Sequence, residues 1–444
     1  MLRYDMIIIG FGKGGKTLAA YFAQTGKRIA MVEESNMMYG GTCINIACIP
    51  TKTLIQAVES GANFDEAFAY RDEVTDKLRN KNFHNLADKE QIDVYTAHAK
   101  FLSDKVVELN VADELHEITA ETIVINTGAL AKMPEIDGLA STESIYDSTS
   151  LQDLREQPKT LGIIGAGNVG LEIASMYAQM GTEVYVFNRG DKILKGEEPE
   201  LAALAKGYLE EDGVNFVDNF DTEKLSNNED GQVVLEAGED TYTVDALLIA
   251  TGRRANTEGL GLENTTIKLD DRGFVAVDNH LETNVPGIYA IGDINGGPQF
   301  TYISLDDFRI VRNHLAGDDS YNLDDRKNVA HTHFLNPPLA SVGLTEAEAE
   351  EAGYKYITSS LDVANMPRGH VNNDLRGRFK IVVDKENHQL LGASFLGNSS
   401  EELINLMKTA MDFGITTDYF ADNIFTHPSM AENLNDLFNI DYSE

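Results

Sequence analysis

The sequence predicts an α/β fold, because a buried strand, a glycine-rich turn and a helix follow one another at two separate places. In the first, the strand Tyr4–Ile9 leads through glycines into an apolar helix that ends at about Ala23. In the second, the strand Thr160–Ile164 leads into a helix that ends at Met180. The length of 444 residues allows two or three domains, each large enough for its own core. The prediction is therefore two Rossmann-like dinucleotide-binding units within a larger α/β protein.

The first glycine-rich turn fits a dinucleotide that lacks a 2′-phosphate. Gly10 makes the tight turn, Gly12 lets the backbone approach a pyrophosphate, and Gly15 allows close helix–strand packing. The next strand, Arg28–Val32, ends in Glu33. This carboxylate can accept hydrogen bonds from a ribose diol and would repel a phosphate there. We therefore expect FAD at this unit.

The second turn repeats the glycine pattern but not the acid. Its glycines are Gly165, Gly167 and Gly170. After a strand at Glu183–Phe187, the position that contacts the ribose carries Asn188, and cations follow at Arg189, Lys192 and Lys195. A neutral residue with clustered cations suits the 2′-phosphate of NADP. The sequence therefore favours NADPH, with NADH as the alternative.

Three further fragments resemble strands that end beside a bound nucleotide. They are Ile123–Gly128, Leu247–Gly252 and Ile288–Asp293. From them we assign Thr127, Gly128 and Asp293 to FAD and Gly252 to NADP. The carboxylate of Asp293 could bind a ribityl hydroxyl, although an acid after glycine is also common in turns.

The two cysteines of the chain, Cys43 and Cys48, both lie within Gly40–Lys52. Their position after a dinucleotide-binding unit indicates a redox-active disulfide, and two buried free thiols are the alternative. Residues five apart in a regular helix have Cα atoms roughly 8.6 Å apart, whereas a disulfide requires about 4.4–6.8 Å. We therefore expect a bend between the thiols and a helix that begins around Cys48.

Charge and hydropathy exclude some classes of partner. The net charge is −36, from 72 acidic and 36 basic residues, which argues against nucleic acid or an anionic membrane. No apolar stretch reaches the length of about 18 residues that a membrane span needs. The first apolar run is too short for a signal peptide. We expect a soluble, cytoplasmic protein.

Together these motifs resemble the pyridine nucleotide–disulfide oxidoreductases, which include glutathione reductase, lipoamide dehydrogenase and mercuric reductase. The resemblance runs from Gly10 to the segment His427–Glu432. Three segments look most like the reactive-chlorine-resistance branch of that family: Met38–Ile46, Asn80–Asp88 and Gln299–Phe308. This likeness implies a homodimer containing FAD that uses NAD(P)H to reduce Cu(II), with Hg(II) or a disulfide as other substrates.

The resemblance also implies a glutathione reductase-like order of domains. FAD-binding segments would span 1–147 and 267–329, an NADP-binding domain 148–266, and an α/β dimerisation domain 330–444.

By family position, Cys48 would be the flavin-proximal thiol and Cys43 the exchange thiol that faces substrate. Both would also hold a substrate metal transiently. Lys52 would pair with Glu172 near the reactive edge of the flavin, where a cation stabilises developing negative charge. The further residues assigned to FAD at this segment are Gly41, Thr42 and Lys52.

Near the C-terminus, His427 and Glu432 predict a general acid–base dyad, because a carboxylate orients an imidazole and stabilises its charged form. In the family this dyad reaches the disulfide of the other subunit, so a dimer is required.

His331 and His333 are expected to point one inward and one outward, and neither is assigned as a ligand. Where related reductases often have an aromatic residue, this chain has Asn168, which predicts a more open nicotinamide pocket.

Several alternatives stay open at this point. The nearest is an ordinary disulfide reductase or a dihydrolipoamide dehydrogenase. A mercuric reductase is disfavoured because the sequence has no further cysteine pair. A flavin-bearing redox sensor without turnover is also disfavoured, since a sensor needs no acid–base dyad.

Overall fold

The computed structural model describes residues 1–443, and these form two compact units. Unit 1 comprises Met1–Pro134, Asp147–Arg155 and Thr251–Asp325. Unit 2 comprises Glu135–Tyr146, Glu156–Ala250 and Arg326 onwards. The chain therefore enters each unit more than once, as the order of motifs requires. The finer four-segment division stays a prediction.

Within the described residues, the strands are β1 (Leu2–Ile9), β2 (Ile29–Glu33), β3 (Ile92–Thr96), β4 (His98–Ser103), β5 (Val106–Val111), β6 (Glu114–Ile125), β7 (Ala129–Ala131), β8 (Ile145–Tyr146), β9 (Thr160–Ile164), β10 (Glu183–Asn188), β11 (Val214–Asp218), β12 (Lys224–Asn227), β13 (Val233–Ala237), β14 (Asp240–Val244), β15 (Ala246–Ile249), β16 (Arg253–Ala255), β17 (Ile288–Ala290), β18 (His331–His333), β19 (Leu339–Gly343), β20 (Tyr356–Asp362), β21 (Arg378–Asp384) and β22 (Leu390–Leu396).

The α-helices of the same residues are α1 (Lys13–Gln24), α2 (Thr42–Asn45), α3 (Cys48–Glu59), α4 (Phe64–Ala87), α5 (Asn168–Gln179), α6 (Pro199–Glu211), α7 (Thr301–Leu315), α8 (Glu346–Glu351), α9 (Pro367–Asn372), α10 (Ser400–Phe413), α11 (Thr417–Ala421) and α12 (Leu434–Leu437).

The main sheet of unit 1 has the order β3-β2-β1-β6-β5-β4, with β17 also paired to β6. Strands β3, β2, β1, β6 and β17 run parallel, whereas β5 and β4 are antiparallel additions. Parallel strands bring their carboxyl ends to one edge of a sheet, where such folds bind ligands. Gly10, Glu33 and Asn126 follow or end these strands, so they lie at that edge.

The described residues of unit 2 form three sheets. A parallel sheet has the order β11-β10-β9-β15-β8, and β12, β13 and β14 form a small antiparallel sheet. The third sheet is antiparallel, with the order β18-β19-β22-β21-β20. Separate apolar cores lie under the first and the third of these sheets.

Both predicted strand–turn–helix units form with nearly the predicted bounds. The strand predicted at Tyr4–Ile9 is observed at Leu2–Ile9, and the strand predicted at Thr160–Ile164 has those bounds. At each turn the first glycine has a positive φ, +100° at Gly10 and +115° at Gly165. A side chain there would be strained, and a Cβ at Gly10 would lie 2.3 Å from the Asn126 carbonyl oxygen.

No helix among residues 1–443 is both long and apolar enough to cross a bilayer.

Candidate active site

The two thiols lie on either side of a break between two helices of unit 1. Cys43 belongs to the short helix α2, and Cys48 is the first residue of α3. Ile46 and Ala47 between them leave the helical conformation, with φ of −140° and −135°. The predicted bend and the predicted helix start are both confirmed. The bend lets the side chains of Cys43 and Cys48 hydrogen-bond each other.

A hydroxyl and a lysine complete the surroundings of the thiols. The Thr301 hydroxyl, at the start of α7, lies 3.5 Å from the Cys48 Sγ and also hydrogen-bonds Cys43. The hydrogen bond to Cys48 and burial raise the pKa of the Cys43 thiol, and Thr301 and Lys16 oppose this rise. The contact with Cys48 and burial therefore favour the protonated form of the Cys43 thiol. Burial lowers the pKa of Lys16 to about 8, with Lys13 adding to this effect and Cys43 opposing it.

The glycine-rich turn of unit 1 forms a backbone cradle that a side chain would fill. A Cβ at Gly12 would lie 2.4 Å from the Asn126 side-chain oxygen, and one at Gly41 would lie 2.7 Å from the Gly12 Cα. The backbones of the turn and of the cysteine segment therefore approach each other closely. Thr42 lies near Gly128, because a Cβ added at Gly128 would be 3.9 Å from the Thr42 hydroxyl. This cradle at the N-terminus of α1 fits the pyrophosphate of FAD.

Asn126 is a buried residue of this site to which the sequence analysis gave no role. Its side-chain oxygen accepts the Gly15 N–H at 2.9 Å, and its amide donates to the Ile291 carbonyl at 2.6 Å. It thereby joins the glycine-rich turn to the segment after β17. The available signal was an amide directly after the buried strand β6, at the carboxyl edge of the predicted sheet.

Two predicted carboxylates occupy strand ends of unit 1. The Glu33 carboxylate accepts the Phe11 N–H at 3.0 Å and the Ser35 N–H at 3.3 Å, and burial raises its pKa. Asp293 lies after β17, 2.8 Å from the Arg253 guanidinium. Burial raises the pKa of Asp293, and Arg253 opposes the rise. Sequence reasoning did not find this arginine partner.

The glycine-rich turn of unit 2 borders a pocket of about 420 Å³. Its lining includes Asn168, Asn188, Lys192, Lys195, Glu197 and His333. Arg189 is not among the lining residues, and its side chain, 75% exposed, lies 3.7 Å from Asp221. Gly252, also predicted for NADP, lies in unit 1, where its carbonyl accepts the Lys132 N–H.

Lys52 and Glu172, predicted as a pair, belong to different units. Lys52 lies in α3 of unit 1. Glu172 is buried in α5 of unit 2, where it accepts the Phe334 N–H at 3.0 Å. Their pairing stays a prediction.

The predicted histidine–carboxylate dyad is formed within unit 2. The Nδ1 atom of His427 lies 2.7 Å from Glu432, which also accepts the Ser429 N–H at 3.3 Å. The side chain of Glu432 is 18% exposed and that of His427 is 70% exposed. The carboxylate is therefore held in place, and the Nε2 atom of the imidazole remains available for proton transfer.

The prediction for His331 and His333 is wrong. Their Nε2 atoms lie 2.6 and 2.9 Å from the same oxygen of Glu197, so both side chains leave β18 on one face. The physical reason is the two-residue period of a strand, which puts positions i and i+2 on the same side. Sequence reasoning had no indication of Glu197, which lies just before α6.

Residues 4–307 match the family model described as pyridine nucleotide-disulphide oxidoreductase, and residues 329–438 match the dimerisation domain of that family. The chain belongs to this family. The predicted glutathione reductase-like fold, with its dimerisation domain, is thereby confirmed.

The chain is 46% identical to the probable pyridine nucleotide-disulfide oxidoreductase RclA of Escherichia coli (strain K12), over 99% of this chain and 100% of that protein. A solved structure described as the Cu(II) complex of HOCl-induced flavoprotein disulfide reductase RclA from Escherichia coli matches with a TM-score of 0.96 and 46% identity, covering 99% of each chain. Mercuric reductase of Staphylococcus aureus is 32% identical over 97% of this chain and 81% of its own. As a member of this oxidoreductase family, the protein is a flavoprotein that depends on a pyridine nucleotide.

Proposed function

We propose that this protein uses NADPH to reduce Cu(II) at Cys43 and Cys48, as a defence against reactive chlorine and other oxidants. The observation that carries the proposal is the contact between the two thiols across the break before α3. The likeness to RclA of Escherichia coli, whose solved structure is a Cu(II) complex, supports the choice of metal.

The cradle of unit 1 would hold FAD, which when bound would pass electrons from the nucleotide to the sulfur pair. The residues proposed to hold it are Gly10, Gly12, Gly15, Glu33, Gly41, Thr42, Lys52, Thr127, Gly128 and Asp293. The pocket of unit 2 would hold the nucleotide, through Gly165, Gly167, Gly170, Asn188 and Lys195. Lys52 and Glu172 are proposed to act beside the flavin.

The sulfur pair can supply the electrons that copper needs. Oxidation of two thiols to one disulfide releases two electrons and two protons. The two electrons reduce two Cu(II) ions to two Cu(I) ions, and the protons leave to solvent or to a base. Thiolates are soft ligands that select Cu(I). A base must remove the thiol proton, and the proposed base is His427, oriented by Glu432.

Because the predicted dyad acts from the other subunit, we propose that the protein is a homodimer. Apart from the dimerisation-domain match, exposed apolar side chains support this: Leu406 at 43%, Phe413 at 80%, Tyr419 at 55% and Ile424 at 94%. Large exposed apolar groups in one region of a chain are typical of interaction surfaces. The expected location in the cytoplasm stays a prediction.

The test is NADPH-dependent formation of Cu(I), measured with a chromogenic Cu(I) chelator. Cys43→Ser and Cys48→Ser should each lower the rate to near that of a protein-free control, because neither variant can form the disulfide. The flavin-to-protein ratio and the thermal unfolding temperature of each variant serve as controls for loading and folding. Full Cu(II) reduction by both loaded variants would show that the sulfur pair is not the route.

The same thiols and dyad could serve an organic disulfide, so an ordinary disulfide reductase or a dihydrolipoamide dehydrogenase is the second candidate. Steady-state rates with Cu(II), Hg(II), glutathione disulfide, lipoamide and O₂ separate these functions. A non-turnover redox sensor would show one round of reduction and no sustained rate with any of them.

A further inference from the structure

We propose that Glu197, His331 and His333 form a second metal site, for a divalent late first-row ion such as Zn²⁺ or Cu²⁺. This site shares no residue with the pair Cys43 and Cys48, and all three of its residues belong to unit 2. Its three donor atoms lie within 4.8 Å of one another. Two imidazoles and one carboxylate are a ligand set that zinc and copper accept in proteins.

The two histidines converge on one point. Their Nε2 atoms lie 2.6 and 2.9 Å from the same Glu197 oxygen. In a tetrahedral zinc site with bonds of about 2.0–2.1 Å, neighbouring donor atoms are roughly 3.3 Å apart. An ion could therefore enter if the donors moved apart by less than about 1 Å, which is within the range of side-chain rotation.

The opposite ring nitrogens are bound to protein acceptors. The Nδ1 atom of His333 lies 2.9 Å from the Asn168 side-chain oxygen, and His331 hydrogen-bonds the backbone of Val329. A histidine that donates from one nitrogen presents the lone pair of the other, and metal-binding histidines usually have such a partner. Both rings are therefore oriented with Nε2 toward Glu197.

The carboxylate is also fixed in place. The side chain of Glu197 is 4% exposed, and its second oxygen accepts the Ser341 hydroxyl. Ser341 in turn lies 3.1 Å from the Ser394 hydroxyl. A buried carboxylate with one oxygen held by a hydroxyl and the other facing two imidazoles is preorganised for a cation.

The site is open on one side. Glu197 and His333 line the same pocket of about 420 Å³ as Asn188 and Lys195. A metal with three protein ligands keeps a further position for water or another ligand, and here that position would face the pocket. The side chains of His331 and His333 are 29% and 12% exposed, so the donors are accessible to an entering ion.

A second cluster of three donors is less suitable. His280, His314 and Asp319 also come within 4.8 Å, but the two rings stack with centroids 4.6 Å apart and planes 20° apart. Asp319 is 60% exposed. Stacked rings direct their nitrogen lone pairs along parallel planes rather than toward one ion.

The experiment uses the full-length protein loaded with FAD, with Cys43→Ser and Cys48→Ser introduced together to remove the thiol ligands. We expect one Zn²⁺ per chain in competition with a chelating dye. We expect the Cu²⁺ electron paramagnetic resonance spectrum to show coupling to two imidazole nitrogens. His331→Gln and His333→Gln together should abolish both signals, and Asn168→Ala should weaken Zn²⁺ binding roughly tenfold, because it removes a partner of a ligand without removing a ligand.

His314→Gln is the matched control, and it should leave both signals unchanged. If His314→Gln removes the binding, the metal belongs to the other cluster and the proposal is wrong. If no Zn²⁺ binds to the folded parent protein, Glu197 and the histidines form only an ion pair, and the proposal is equally wrong.

Discussion

The cations that follow Asn188 at the end of β10 lie in two different environments. Lys192 and Lys195 line the pocket of unit 2, whereas Arg189 is exposed beside Asp221. The sequence predicted a cationic cluster for a 2′-phosphate but could not assign the role to one side chain. Side-chain direction in the loop after a strand is set by contacts with other segments, which the local sequence does not contain.

Lys195→Ala should raise the KM for NADPH about tenfold and that for NADH much less, because a hydrogen bond to a charged group contributes about 1.5–3 kcal/mol. Arg189→Ala should have a smaller effect than Lys195→Ala. The measurement is steady-state kinetics with both nucleotides, and Lys355→Ala, an exposed lysine of the same unit, is the control. An unchanged ratio of the two KM values in Lys195→Ala would remove the proposed preference for NADPH.

At the scale of elements, the break between α2 and α3 was predictable because disulfide and helix geometries are incompatible at this spacing. Strand periodicity also predicts that the side chains of His331 and His333 lie on the same face of β18, but the sequence prediction placed them on opposite faces. Their partner Glu197 lies 134 positions before His331. A contact of that kind has no local signal, since it depends on how the start of α6 packs against β18.

Between the elements α6, α8 and β21, a buried lysine joins three carboxylates. Lys380, 8% exposed, lies 2.9 Å from Glu198, 3.0 Å from Glu200 and 2.7 Å from Glu346. Burial opposes the charged form of Lys380, but these partners outweigh it and raise the pKa of the lysine above its usual range. The network therefore joins β21, in the third sheet of unit 2, to the helices α6 and α8.

Lys380→Met should lower the free energy of unfolding by roughly 3 kcal/mol at pH 7, because it leaves a buried carboxylate without its cation. Lys355→Met removes an exposed pair with Glu386 and should lower the free energy of unfolding far less, because solvent screens an exposed ion pair. Thermal and denaturant unfolding measure both variants. Equal losses in the two variants would contradict a special role for the buried lysine.

The decrease in the free energy of unfolding caused by Lys380→Met should become smaller under acid conditions. Burial would raise the pKa of Glu200, but Lys380 and Arg378 outweigh it and hold the pKa below its ordinary value of 4.5. A carboxyl with a lowered pKa stabilises the fold fully above the unfolded value and less as the pH falls through its folded value. The difference in the free energy of unfolding between parent and variant should therefore be constant between about pH 5 and pH 9 and decrease below pH 4.

At the scale of the whole molecule, each unit is assembled from segments that are distant in sequence. The sulfur pair belongs to unit 1, and the dyad of His427 and Glu432 belongs to unit 2. The family match to a dimerisation domain at 329–438 supports a dimer, and the action of the dyad on the sulfur pair of the other subunit stays a proposal.

Mixed dimers test this arrangement. Chains carrying Cys43→Ser and chains carrying His427→Ala, each with its own affinity tag, can be coexpressed and the mixed dimer isolated. If the dyad acts from the partner, each mixed dimer has one complete site, so we expect about half of the activity of a doubly tagged parent dimer. If the dyad acts within its own chain, both sites of the mixed dimer lack a component, and no activity above that of the two variant homodimers would be seen.

The sequence by itself determined the two strand–turn–helix units, the break between the cysteines and the pairing of His427 with Glu432. These depend on local patterns of glycine, hydrophobic residues and short spacings, which fix the backbone over a few residues. Only the tertiary structure decided that Asn126 joins the turn to the segment after β17, that Thr301 contacts both thiols, and that Glu197 meets two histidines. Such contacts form between segments more than a hundred residues apart, and their positions follow from the packing of whole sheets and helices.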